Sequence, residues 1–442
     1  MSPPPDAGAD RIVPRRAVWA IAAAAAVALP GLVLRIGGSH PAEIAGVVVF
    51  GASIIGAAFL LAWGAEALQL DVSRGLALAV LALIAVLPEY IVDFTFASKA
   101  GQNPGKYAPL ALANMTGSNR LLIGVGWPLV VFLGAWRVSR IARRRNYTGE
   151  IDTSAHLDRS QSIEISFLAV ATLYSLTLPL KSRLALYDTV VLVALYLVYA
   201  WRVSHAPSEP PHLVGPARLF GMLTPARRRT AVGLVLLFAG TVIIASAEPF
   251  ADSLVDTGRN LGVSTFLLVQ WLAPLASESP ELLVAALFAW RLHTKAGLGT
   301  LVSSKVNQWT LLVGTLPIVF VIAGGAARGL PLDHLQREEL FLTAAQSAFA
   351  VSVLASRSIS VREAWALLVL FVSQFALGAV LPEAQRHWER IGVGIAYLVL
   401  AAALIVVQRR QFAELAQDGF RTPAAELMHE REREREPEAS LP

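Results

Sequence analysis

Apolar stretches of about 18 residues or more recur along nearly the whole chain. That is the length a helix needs to cross a bilayer, so most of this chain is expected to lie in a membrane. Only 16% of the 442 residues are charged, against roughly 25% in soluble domains. The fold class expected is all-α, a polytopic integral membrane protein of roughly twelve helices. They are placed at 17–36, 43–68, 74–98, 107–136, 162–180, 184–204, 230–252, 262–291, 297–324, 338–356, 362–382 and 390–408. Residues 1–16 are polar, and the next apolar segment lacks a small-residue cleavage signature, so it is expected to be an uncleaved first helix.

The net charge of +5 comes mainly from Arg and Lys at helix ends. This is a mark of topology and not of a nucleic-acid partner. With the N-terminus cytoplasmic, the cytoplasmic connections hold Arg74, Arg137 to Arg145, Arg202, Arg227 to Arg229, Arg291, Lys295, Arg357 and Arg362. The other face carries fewer. The expectation is an N-in, C-in protein of the cell (inner) membrane. There are no cysteines, which excludes disulfides and thiolate metal sites.

Two Pro-Glu pairs sit inside apolar stretches: Pro88-Glu89 and Pro280-Glu281. A carboxylate at membrane depth is costly without a partner and marks function. The settings match in order. Ala65-Glu66 corresponds to Ala247-Glu248, Val72-Ser73 to Val263-Ser264, and Gly117-Ser118-Asn119 to Ser303-Ser304-Lys305. VGWPLVVF (125–132) then resembles VGTLPIVF (313–320). Five helices per unit would give the two units opposite orientations, the arrangement of inverted repeats with an ion site between them. The expected organisation is a tail and extra helix (1–42), a first repeat (43–204), a cytoplasmic linker (205–229), a second repeat (230–382), an extra helix (383–408) and a charged tail (409–442).

Glu89 and Asp93 are four residues apart, Glu278 and Glu281 three, so each pair shares a helix face. Pro88 and Pro280 are expected to open their helices and free carbonyls as ligands. Carboxylates with carbonyls and hydroxyls form a hard-oxygen site for Ca2+ or Na+, and Glu89 and Glu281 are its core metal ligands. Asn114, Ser118, Asn119, Ser277, Ser304 and Asn307 supply further polar groups at that depth. Arg120 and Lys305 are expected to pair with the site's carboxylates and tune it. Glu66, Glu248 and Asp252, nearer helix ends, are expected to form ordinary ion pairs.

These segments resemble the cation/calcium exchanger superfamily, which carries G-T-S-x-P-E and G-N-x-x-G-S-N-x-x-N/D motifs in each half. The resemblance implies a ten-helix core, alternating access, and a central role for Glu89 and Glu281. Ala85-Val86 and Ser277-Glu278 stand where the family has Thr-Ser, and Leu122 and Gln308 stand at the final motif positions. In the family those hydroxyls and amides help bind sodium.

The function expected is therefore antiport of Ca2+ against Na+ or H+. Na+/H+ or another cation/H+ exchange on the same fold is the alternative. The partners are inorganic cations and lipid, with no cofactor. An enzyme is not expected: HExxH and GxSxG are absent. The eight histidines (His40, His156, His205, His212, His293, His334, His387 and His429) fall in loops, tails or helix ends. A passive channel fits two inverted halves less well than alternating access does.

Overall fold

The computed structural model describes residues 15–39, 41–71, 86–147, 149–204, 213, 215–423 and 426–427. The helices are α1 (Arg15–Ile36), α2 (Glu43–Leu68), α3 (Leu87–Gln102), α4 (Pro104–Leu121), α5 (Trp127–Arg144), α6 (Ser162–Ser175), α7 (Leu186–Ser204), the short α8 (Ala217–Gly221), α9 (Pro225–Leu261), α10 (Thr265–Trp290), α11 (Thr294–Asn307), α12 (Val313–Ile322), α13 (His334–Leu354), α14 (Val361–Val380), α15 (Glu383–Val407) and α16 (Arg409–Phe420). The all-α membrane class is what the structure shows. Helix α2 alone has 26 residues, about 39 Å at 1.5 Å per residue, enough to cross a hydrocarbon core of about 30 Å.

Among the described residues, ten helical stretches are long and apolar enough to cross a membrane. Of the twelve expected, 74–98 falls partly outside the described residues. The span expected at 338–356 is α13, which carries Arg337, Glu338 and Glu339 near its start and is buried on most sides. The segment expected as a linker, 205–229, contains α8 and the first turn of α9. Large apolar side chains such as Val190, Leu237, Ile244 and Val406 are exposed on the outer helices, as a lipid-facing surface requires.

Two five-residue π-helical segments follow α4 and α11, at Leu122–Gly126 and Gln308–Leu312. Such segments are rare and gather at functional sites. Each follows the small, polar helix of its half. Two short ladders join the halves. β1 (Ala155–His156) pairs antiparallel with β4 (Ser358–Ile359), and β2 (Arg183–Leu184) pairs antiparallel with β3 (Leu330–Pro331). In chain order β1 and β3 precede α6 and α13, while β2 and β4 precede α7 and α14. Exchanging the halves therefore maps one ladder onto the other.

Gly117 marks a tight helix crossing in the interior. A Cβ there would lie 1.8 Å from the carbonyl oxygen of Gln270, so only glycine lets α4 approach α10 this closely. Small residues at membrane helix crossings serve this purpose.

Helix α16 folds back onto the end of α6. Asp418 accepts two bonds of 2.8 Å from Arg159 and one of 3.0 Å from Arg357. Arg202 donates to the carbonyls of Asp418 and Thr422 at 3.2 and 2.6 Å. Burial pushes the Asp418 carboxyl up, but Arg159, with Thr422 and Arg357, outweighs it and holds the group below its ordinary value. The resulting stabilisation is complete above the unfolded value, about 3.9. It is lost as pH falls through the lower folded value. Asp418→Ala is expected to release α16 and so speed trypsin cleavage at neutral pH at Arg409, Arg410 and Arg421, which are exposed but held in or beside the docked helix. Equal cleavage of wild type and variant would show that Asp418 does not hold the helix.

Candidate functional site

Helices α3, α4, α10 and α11 meet at the centre of the protein. Helix α3 begins with Leu87 and Pro88, so Glu89 lies in its first turn. Proline suits that turn because its missing amide is unsatisfied there anyway, and the unpaired amides of the helix start favour a carboxylate. The opening expected at Pro88 is thus a helix start. The opening expected at Pro280 does not occur: α10 runs unbroken from Thr265 to Trp290 through Pro274 and Pro280. Neighbouring helices hold it on line, as they do for prolines in other membrane helices.

Glu89 is 2% exposed, Asp93 0% and Glu278 1%. The amide of Gln308 donates to Glu89 Oε2 at 3.1 Å and to Glu278 Oε1 at 2.6 Å. One side chain from α11's end thus ties α3 to α10. Asn114 Nδ2 donates to Asp93 Oδ1 at 2.8 Å. The Tyr90 hydroxyl donates to Asn307 Oδ1 at 2.7 Å. Glu281 and Asp93 lie within electrostatic reach of Glu89, so the structure gathers four carboxyl groups in one region.

Among the described residues, many oxygens of this region have no hydrogen-bond partner. They are Glu89 Oε1, Asp93 Oδ2, Glu278 Oε2, Glu281 Oε2, Asn114 Oδ1, Gln308 Oε1 and the hydroxyls of Ser118 and Ser304. Buried polar atoms are rarely left so. The Asn307 amide nitrogen is unpartnered too, but the oxygens predominate and come from all four helices, which is the donor chemistry of a hard cation. Ser277 differs: its hydroxyl bonds the Ala273 carbonyl of its own helix at 3.2 Å.

The two interior cations do not pair with these carboxylates. Lys305, fully buried, donates to the side-chain and backbone oxygens of Asn119 at 2.5 and 3.1 Å and lies 4.5 Å from the Trp309 ring centre. It makes no ion pair among the described residues. Arg120 Nη1 lies 2.9 Å from Glu339 Oε2 of α13, and its guanidinium sits 5.0 Å from the ring centre of Trp271. Gln270 Nε2 also donates to Glu339 Oε2 at 2.9 Å. The reason is positional. Arg120 is two residues beyond Ser118, about 200° further around the helix at 3.6 residues per turn, so it points away from the face shared by Asn114 and Ser118 and from the carboxyl cluster. Glu339, Tyr90 and Gln308 were absent from the expected set. In the sequence Gln308 is one of the polar residues at membrane depth, and as a departure from a motif it is left out of the expected ligands. Glu248 and Asp252 form the expected ion pairs, with Arg35 at 2.8 Å and Lys99 at 2.9 Å respectively.

The fold and this arrangement define a polytopic membrane protein with a central acidic cluster, and comparison assigns its class. The family described as sodium/calcium exchanger protein matches residues 42–204 and 231–377. The chain belongs to that family, within the cation/calcium exchanger superfamily. The solved structure of the H+/Ca2+ exchanger CAX is 40% identical, covers 92% of this chain and 98% of its own, and superposes with a TM-score of 0.83. The structure of YfkE, 13% identical, shares the fold with a TM-score of 0.59, covering 85% of this chain and 100% of its own. A protein of Alkalimonas amylolytica bearing the antiporter name CaxA is 29% identical over 92 residues, 21% of this chain and 27% of that relative. That match spans about a quarter of the relative's length.

Proposed function

We propose that this chain is a secondary active antiporter that exchanges Ca2+ for protons across the cell (inner) membrane by alternating access. The observation that carries this reading is the convergence of Glu89, Asp93, Glu278 and Glu281 with unpartnered oxygens from all four central helices. Such a cluster at membrane depth requires neutralisation, by bound cations or by bound protons. Occupancy by one then excludes the other, which is the basis of antiport. Ca2+ takes six to eight oxygens with several carboxylates among them, and this cluster offers that set. Protons are favoured over sodium because Leu122 and Gln308 occupy positions where the family places sodium ligands. Gln308 spends its amide on two carboxylates instead. The likeness to an H+/Ca2+ exchanger supports the same choice.

Halves 43–204 and 230–382 are taken as inverted repeats. The exchangeable strand ladders and paired π-helical segments support that reading. So does the placing of Glu89 and Glu281 on corresponding helices. The termini are assigned to the cytoplasm from the Lys/Arg bias.

A direct test uses purified protein in a weakly buffered solution. Added Ca2+ should release protons, and added Na+ should release none. Release by Na+ alone would replace protons plus calcium with sodium/proton exchange.

Lys305 supplies a second prediction. Its side chain stands at the position corresponding to Asn119 in the other half and donates to Asn119 itself. Lys305→Asn replaces this amine with an amide that offers an oxygen to a cation. The expected outcome is a changed number of charges moved per Ca2+, read as a new dependence of uptake on membrane potential. Identical charge movement in the two proteins would remove Lys305 from the site.

A further inference from the structure

At one end of the molecule, well apart in chemistry from the carboxyl cluster, two histidines converge on one carboxylate. His334 opens α13, Glu338 follows one turn later, and His387 lies in the first turns of α15. Both histidine Nδ1 atoms lie 2.5 Å from the same oxygen, Glu338 Oε1. The three ligand atoms are all within 4.8 Å of one another. Arg390 donates from Nε to the other oxygen, Glu338 Oε2, at 2.7 Å. The rings of His334 and His387 are 5.3 Å apart. The Glu338 side chain is 5% exposed, whereas that of His334 is 77% exposed.

We propose that His334, Glu338 and His387 form a binding site for a borderline divalent metal of the zinc class, distinct from the transported ion. Two imidazoles and one carboxylate are the ligand set of open zinc sites, with the fourth position left to water. Imidazole favours zinc over calcium, which selects all-oxygen sets, so cargo does not compete for this cluster. The spacing suits a His and a Glu four residues apart on one helix face, with the third ligand from a neighbouring helix. Arg390 supplies the outer contact that fixes the carboxylate and leaves one oxygen for the metal, as supporting groups in metal sites do. Tetrahedral bonds of about 2.0 Å put ligand atoms about 3.3 Å apart. The exposed His334 ring is free to swing outward by the required distance of about 1 Å. A bound ion would clamp α15 to α13, the helix whose next residue, Glu339, pairs with Arg120.

The test uses the full chain in detergent, purified on a tag without histidine and saturated with Ca2+. Zinc content after dialysis is compared for wild type, His334→Ala and His387→Ala. Wild type should retain one zinc more per chain than either variant. Its affinity should fall at least about tenfold in each. Because His334 is exposed, its replacement should leave the melting temperature in metal-free buffer unchanged. Cobalt in place of zinc should give the visible absorption of a four-coordinate site in wild type only. Equal zinc in wild type and variants, including none in any of them, overturns the proposal.

Discussion

Glu89→Gln is expected to abolish calcium uptake by reconstituted protein. The substitution keeps the shape of the side chain and removes its charge. Glu89 lies in the first turn of α3, where the helix start favours an anion, and one of its oxygens has no partner among the described residues. A glutamine there offers one carbonyl oxygen, and its amide faces the Gln308 amide that now donates to Glu89. Loss of a merely supporting contact in a metal site costs about 10–100-fold. Loss of a charged ligand should exceed that and bring uptake to background. Glu281→Gln should do the same from the other half. Glu248→Gln is the control, since that acid is half exposed and pairs with Arg35 and Lys99 away from the cluster. Uptake by Glu89→Gln within twofold of wild type would exclude it as a ligand.

Removing Glu339 should have the largest effect on stability. Its carboxylate is the ion-pair partner of Arg120, whose side chain is 1% exposed. It also accepts from Gln270, so one carboxylate links α4, α10 and α13. Breaking a buried pair leaves an uncompensated charge and costs roughly 3–5 kcal/mol. Glu339→Ala should therefore lower the melting temperature in detergent sharply. Replacing both partners with apolar residues, as in Glu339→Leu with Arg120→Met, should recover most of the loss, because the desolvation cost disappears with the charge. If the double variant is no more stable than Glu339→Ala, the pair is not the source of the effect.

Much of this was legible in the sequence, for identifiable reasons. The membrane helices announce themselves by unbroken apolar length. Glu89 and Glu281 stand out because a carboxylate inside such a stretch has few uses. Asn114, Ser118 and Ser304 stand out separately, as small polar residues within two further segments at membrane depth. Glu339 is different. It sits in a charged run, Arg337-Glu338-Glu339, that reads as a solvated helix start, and nothing local says that the chain buries it against Arg120. Gln308 was hidden by the opposite error, since a departure from a motif looks like a loss until its amide is seen between two carboxylates. The proline in α10 was misread because helix breaking is a local tendency, and packing against α4 and α11 overrides it. The two-residue strands are too short for any period to show. They exist because the halves are already brought together by their helices.

The most direct test of the central claim is calcium uptake into proteoliposomes under separate outward proton and outward sodium gradients. Uptake driven by the proton gradient alone, and absent in Glu89→Gln and Glu281→Gln, is the result expected of a calcium/proton antiporter built on this carboxyl cluster. Uptake driven only by sodium would contradict the coupling proposed here, and proton-driven uptake that survives both substitutions would contradict the site.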